Sequence, residues 1–142
     1  MVATFMKFEV AIIQDWSGDI YGEILITQRR ISFLGDIDQQ TGSIVGSDHD
    51  IQGETIKDKI FIFPEGRGST VGSNVIYGLA KQGFAPKLLV THRAELITIS
   101  GAVYGQIPMV SQLSLDAFKL LHLGDKARAH IQNGIGYLER ID

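Results

Sequence analysis

The chain has 142 residues, 13 basic and 16 acidic side chains, and no cysteine. A single domain of that length hides roughly 68% of its unfolded surface and folds without a disulfide or a structural metal. The net charge of -3 argues against a dedicated nucleic-acid binder. The missing cysteine excludes a disulfide framework, a thiol nucleophile, a cysteine zinc site and a self-contained iron–sulfur cluster.

The opening MVATFMKFEVAII lacks the charged start, apolar run and cleavage site of a signal peptide. No stretch approaches the ~20 apolar residues of a membrane helix. The expectation is a soluble, cytoplasmic chain forming one domain over residues 1–142. Residues 5–13 and 20–27 read as strands separated by a turn at Trp16, Ser17, Gly18 and Asp19. The polar stretch 35–54 reads as an extended surface loop, because neither flank is long enough to bury a full core alone.

Residues 59–63 (KIFIF) form a short apolar run before Pro64, consistent with a buried strand. Residues 69–82 carry Val71, Val75, Ile76, Leu79 and Ala80 near helical spacing, and Gly83 is a plausible stop. After Pro86, residues 88–91 read as another buried strand, so this unit favours a parallel pair. Residues 95–105 are read as helix, Met109 and Val110 as a short strand, and 114–121 as a helix with Ser114 at its N-cap. The last pair, 127–132 and 136–141, reads as a hairpin around Asn133 and Gly134. Together these elements imply an α/β domain with a mixed, barrel-like sheet.

The segment richest in chemistry is 64–73 (PEGRGSTVGS), between a buried strand and a helix. Gly66 and Gly68 permit positive φ and close approach by a ligand. Ser69 is placed to cap the helix, which leaves the N–H groups of Thr70, Val71 and Gly72 facing an anion. Arg67 adds a planar donor fork for phosphate or carboxylate. The other reading is a tight turn followed by a cap. The segment lacks the Gly-Lys-Ser/Thr of a P-loop, and its glycines miss dinucleotide-binding spacing by one residue.

Ser69 alone is a poor base. A hydroxyl starts near water's pKa of ~15.7, and a helix N-terminus supplies ~2 kcal/mol at best, or roughly 1.5 pK units. A working Ser69 therefore needs further cations or an acidified substrate. His49, His92, His122 and His130 show no close ligand pair. His92, beside Arg93 after a buried strand, is the most suggestive of them. Asp36 and Asp38 read as turn caps before they read as paired carboxylates. Glu95 reads as a first-turn dipole partner, and Trp16 and Tyr104 as packing residues.

Four ordered blocks make the sequence resemble the small subunit of the aconitase X family, or aconitase X swivel domain. They are 31–38 (ISFLGDID) with Thr41 and Gly42, 66–73, 83–86 (GFAP), and 94–95 through 101–103 to 107–110 (IPMV). The resemblance spans about residues 18–140. It implies a swivelling β/β/α fold similar to the mobile domain of aconitase. It also implies a larger partner subunit that carries an iron–sulfur cluster and most of the active site. Family members include small subunits of archaeal phosphomevalonate dehydratase and bacterial cis-3-hydroxy-L-proline dehydratase, and the 69–73 form (STVGS) is more similar to the archaeal type. By that resemblance Ser69 is the proton acceptor, Arg67 holds a substrate phosphate or carboxylate, and Gly68, Thr70 and Gly72 shape the anion pocket. The implied reaction removes water from a small phosphorylated β-hydroxy acid, in a heterodimer or larger complex. The hydroxyproline enzyme and a stand-alone module binding a phosphorylated metabolite are the alternatives.

Overall fold

A computed structural model describes residues 6–68 and 70–141. Seven strands, β1 (Met6–Gln14), β2 (Ile20–Ile26), β3 (Ile60–Phe63), β4 (Leu88–Thr91), β5 (Met109–Ser111), β6 (Lys126–Gln132) and β7 (Ile135–Ile141), close into a barrel in the order β1-β5-β4-β3-β2-β6-β7. β2, β3, β4 and β5 run parallel, while β1, β6 and β7 pair antiparallel. Among the described residues there are four helices: α1 (Phe33–Asp36), α2 (Val71–Lys81), α3 (Leu96–Gly105) and α4 (Leu115–Leu120). The mixed barrel and the parallel β3–α2–β4 unit agree with the sequence reading.

The apolar runs have a simple cause. Side chains alternate across a strand, and here both faces are covered. Ile24, Ile26, Ile60, Ile62, Leu88 and Val90 fill one core with Phe118 and Leu121 from around α4. Leu25, Phe61, Phe63 and Leu89 face the other way, into a second core with Val75, Ile76 and Leu79 of α2. Strands buried on both faces read as continuous apolar runs, as parallel strands do. β1 and β2 are not partners: the turn between them carries the chain from the β5/β7 side of the barrel to the β3/β6 side. At the other end, Asn133 (φ 54°) and Gly134 (φ 78°) turn β6 into β7, both central residues being left-handed as a type I′ hairpin requires.

Residues 35–54 are not an extended surface loop. They begin in α1, and bridges Ile37 to Ile44 and Ser43 to Thr55 fold the rest back on itself. Ile37, Ile44 and Ile51 are buried in the second core beside Phe61 and Phe63. One isoleucine every seven residues is enough to anchor the segment, but it generates no strand or helix periodicity for a sequence reading to detect.

α2 and α3 pack at close range because Gly101 has no side chain. A Cβ there would stand 2.6 Å from Ile76 Cδ1 and 2.7 Å from Ile76 Cβ. α3 is fastened at its start by Glu95, whose carboxylate accepts from Ile97 N and Thr98 N at 2.8 Å each. The dipole-partner reading of Glu95 thus sharpens to an N-cap. Gly101→Ala is expected to destabilise the fold by about 1–3 kcal/mol through overpacking, lowering the thermal midpoint by about 4 °C or more. Gly78, in α2 with open space around it, is the control: Gly78→Ala is expected to stabilise by about 0.5–1 kcal/mol. Thermal denaturation of both variants checks the pair.

Candidate active site at the carboxyl ends of the parallel strands

Parallel strands deliver the chain to one end of the sheet, where ligands of open α/β folds commonly bind. Here the connections after β2, β3 and β4 lie side by side. Ile31 N donates to Glu65 O at 3.1 Å, Arg67 N donates to Ile31 O at 2.8 Å, and Ile31 pairs with Gly66 in a parallel bridge. On the opposite flank, His92 N and Arg93 N both donate to Pro64 O at 3.0 Å. The glycine turn is therefore held from two sides before any side chain contributes.

Its glycines are required by space. A Cβ on Gly66 would run into Glu95 Oε1 and Thr98 Oγ1. Gly68 has φ 107°, a backbone that L residues rarely adopt, and a Cβ there would stand 3.2 Å from Ser32 Oγ. Gly72 is buried, and a Cβ would meet Ile97 Cγ2 at 3.0 Å. Its bare backbone thus serves the approach of α2 to α3.

Ser69, expected as the cap and as the proton acceptor, lies outside the described residues. The N-cap position of α2 falls one residue later, on Thr70, whose helical dihedrals (φ −59°, ψ −18°) give no side-chain capping bond. The reason is geometric: a capping side chain needs an extended residue at that position, as Ser114 and Glu95 provide for their helices. Thr70 thus leaves the first N–H groups of α2 without a bond from its own hydroxyl. A helix N-terminus carries about half a positive charge there.

Arg67, within this turn, is half-exposed, with Nη2 4.0 Å from Asp36 Oδ2. Asp36 is nearly buried, and the same oxygen accepts from Ser32 N at 2.8 Å. A contact that long to a half-exposed guanidinium is worth at most about 1 kcal/mol, so Arg67 can turn toward a ligand at little cost. Asp36 and Asp38 are not a carboxylate pair. Asp38 Oδ1 accepts from Gln40 N at 2.8 Å, a turn cap, while Asp36 fixes the start of α1.

The remaining candidates separate. His92 Nδ1 is hydrogen-bonded to Leu113 O at 2.8 Å, which gives it a structural role. His49 is buried beside Asp50 at 3.0 Å, and Asp50 also accepts from Thr27 Oγ1 and Gln28 N. His130 is buried against the Tyr137 ring. Among the described residues no three His, Asp or Glu side chains gather as a metal site would require. Trp16 packs on the barrel core, as expected, but Tyr104 does not pack: it is 71% exposed on α3. Its helix turns that face outward because Thr98, Gly101 and Ala102 are the buried residues. The sequence reading also passed over Arg29 and Arg30, which follow β2 and are exposed. With Arg67 and the exposed Arg93 they put arginines on three adjacent loops, although the Arg29 guanidinium donates to Asp48 O. The available signal was positional, since each follows a buried strand in the parallel unit.

The family model described as the aconitase X swivel domain matches residues 10–139. The chain is 47% identical to the phosphomevalonate dehydratase small subunit of Thermococcus sibiricus, over 69% of this chain and 75% of that one. It is 40% identical to the protein of the same name from Methanococcoides burtonii, over 85% and 87%. Among solved structures, Thermococcus kodakaraensis aconitase X in its holo-form superposes with a TM-score of 0.85 at 36% identity, covering 96% of this chain and 99% of that one. The solution NMR structure of a UPF0107 protein gives 0.82 at 38% identity, covering 96% and 100%. The glycine turn, the mixed barrel and these matches agree: the chain belongs to the aconitase X swivel domain family.

Proposed function

We propose that this chain is the small subunit of a hydro-lyase that removes water from phosphomevalonate, and that it works only when joined to a large subunit. The observation that carries this reading is the start of α2: a helix N-terminus opening on a glycine turn that carries Arg67, with further exposed arginines on both neighbouring loops. Such a surface suits a substrate with both a carboxylate and a phosphate. The names of the relatives support the substrate, and the product is the corresponding anhydro acid of an isoprenoid pathway. We place the enzyme in the cytoplasm. Among the described residues no helix is long and apolar enough to cross a membrane.

The division of labour follows from chemistry. Elimination needs a base for the proton and a group that helps hydroxide depart. Ser69 is assigned the proton. The α2 N-terminus and Arg67 stabilise the negative charge that gathers on the substrate as the proton leaves. Gly68 keeps the turn low enough for the substrate to approach, and Thr70 and Gly72 are assigned to its anion pocket through the backbone at the start of α2. Among the described residues no metal-holding group gathers to assist the departing hydroxide. The chain has no cysteine, and its described histidines and carboxylates do not converge, so its residues do not fit an iron–sulfur cluster. We assign that group, and the leaving-group chemistry, to the partner.

The isolated chain is expected to show no turnover and to gain it when the large subunit is added. Full dehydration by the chain alone would refute the two-subunit reading. In the assembled enzyme, Ser69→Ala is expected to lower kcat by about 10²–10⁴ with co-purification unchanged; wild-type turnover would remove Ser69 from the proton step. Arg67→Lys keeps the charge but loses the planar fork. It is expected to raise KM about tenfold with a smaller change in kcat, read from steady-state kinetics.

A further inference from the structure

The opposite end of the same parallel strands holds a second cluster of charge that the proposed dehydration does not use. A cavity of about 430 Å³ lies where β2, β3, β4 and β6 begin, and Lys57, Lys59, Lys87 and Lys126 line it with Glu23 and Asp58. β3 separates the two ends. It runs from Ile60, beside Lys59, to Phe63, before Pro64, about 13 Å of strand.

The four ammonium groups are under-used. Glu23 faces two of them, at 3.7 Å from Lys59 and 3.5 Å from Lys126. Those separations exceed the roughly 2.7–2.9 Å of a charge-assisted hydrogen bond. Lys87 donates once, to Tyr21 O at 2.8 Å, although an ammonium has three donors. Lys57 stands 5.7 Å from the Phe84 ring centroid, a weak cation–π contact. Among the described lining residues the balance is two positive charges in excess, in a chain whose net charge is -3. Like charges brought together around one hollow repel, and a bound polyanion relieves that repulsion. The cavity volume falls in the range of small-molecule sites, about 300–1,000 Å³.

We infer that this lysine-lined cavity is a second anion site that binds a diphosphate group, as free pyrophosphate or as the head of a phosphorylated metabolite. Two linked phosphates carry the opposite charge to the excess and offer enough oxygens to reach lysines that stand before β3, before β4 and at the start of β6. Glu23 is the competitor: it occupies Lys59 and Lys126 when the site is empty and must yield them to the ligand. The site is independent of the glycine turn, so it can fill whether or not substrate is bound at the other end.

The test is an amide chemical-shift titration of the full chain with inorganic pyrophosphate at ~0.15 M salt, where exposed single charges are screened. Saturable shifts are expected at residues 21–23, 57–59, 87 and 126, with submillimolar affinity and no shift at residues 66–72. Lys57→Ala/Lys87→Ala is expected to weaken binding tenfold or more, and Glu23→Gln to tighten it several-fold. The second variant separates a binding role from a structural one, because loss of a purely structural ion pair would not improve affinity. Shifts that fail to saturate, that centre on the glycine turn, or that ignore Glu23→Gln would each overturn the proposal. A parallel titration with a nucleoside diphosphate distinguishes the sources: equal affinity favours recognition of the diphosphate alone, and tighter binding favours a metabolite that carries it.

Discussion

Parallel strands cannot be joined by a tight turn, and everything at the candidate site depends on that constraint. Each crossover must leave one end of the sheet, travel outside it and return to the other end. Four adjacent strands of this barrel run parallel, so three consecutive connections start from the same edge. Ile31, Gly66 and Pro64 show the result: backbone groups from successive loops bond to one another. A glycine turn isolated in sequence thereby acquires neighbours from residues some thirty positions away on either side.

The two cores divide the work. The inner one is filled by side chains from every direction and joined by Phe118 and Leu121, while Gln28 Nε2 donates to Phe118 O at 2.9 Å, tying α4 to the loop after β2. The outer core carries α2 and α3, and its tolerance is set by Ile76 against Gly101 and Ile97 against Gly72. These contacts determine where the N-terminus of α2 points. Asp36 leaves Arg67 free to move, since its carboxylate is held by Ser32 N and engages the guanidinium only loosely.

Much of this was legible in the sequence, for physical reasons that differ by element. The run at residues 59–63 was readable because both its faces are buried, and the Asn133-Gly134 turn because few residues accept two left-handed positions in succession. Ser114 capped its helix as its chemistry suggests. Residues 35–54 were not readable, because isoleucines seven apart with polar residues between them mark neither strand nor helix, yet they contribute to the core that carries α2. Thr70, just before α2, makes no capping bond because capping depends on local dihedrals, which composition does not reveal. The arginines beside the glycine turn left only a positional signal, because their proximity is a property of strand order. The resemblance to a family located the turn, and the fold showed what surrounds it.

The pairing of β1 has a consequence for how the chain is made. β1 contacts only β5 and β7 among its strand partners, and both lie beyond residue 108. At a synthesis rate of about 5–20 residues per second, the first strand waits on the order of 10 s for a partner to be polymerised. Throughout that interval its edge is open, with backbone donors and acceptors that another chain could satisfy. The alternation of Lys7 and Glu9 with apolar neighbours keeps that strand charged while it waits, so the strand that waits longest for its partner is also one that carries charge against stray pairing.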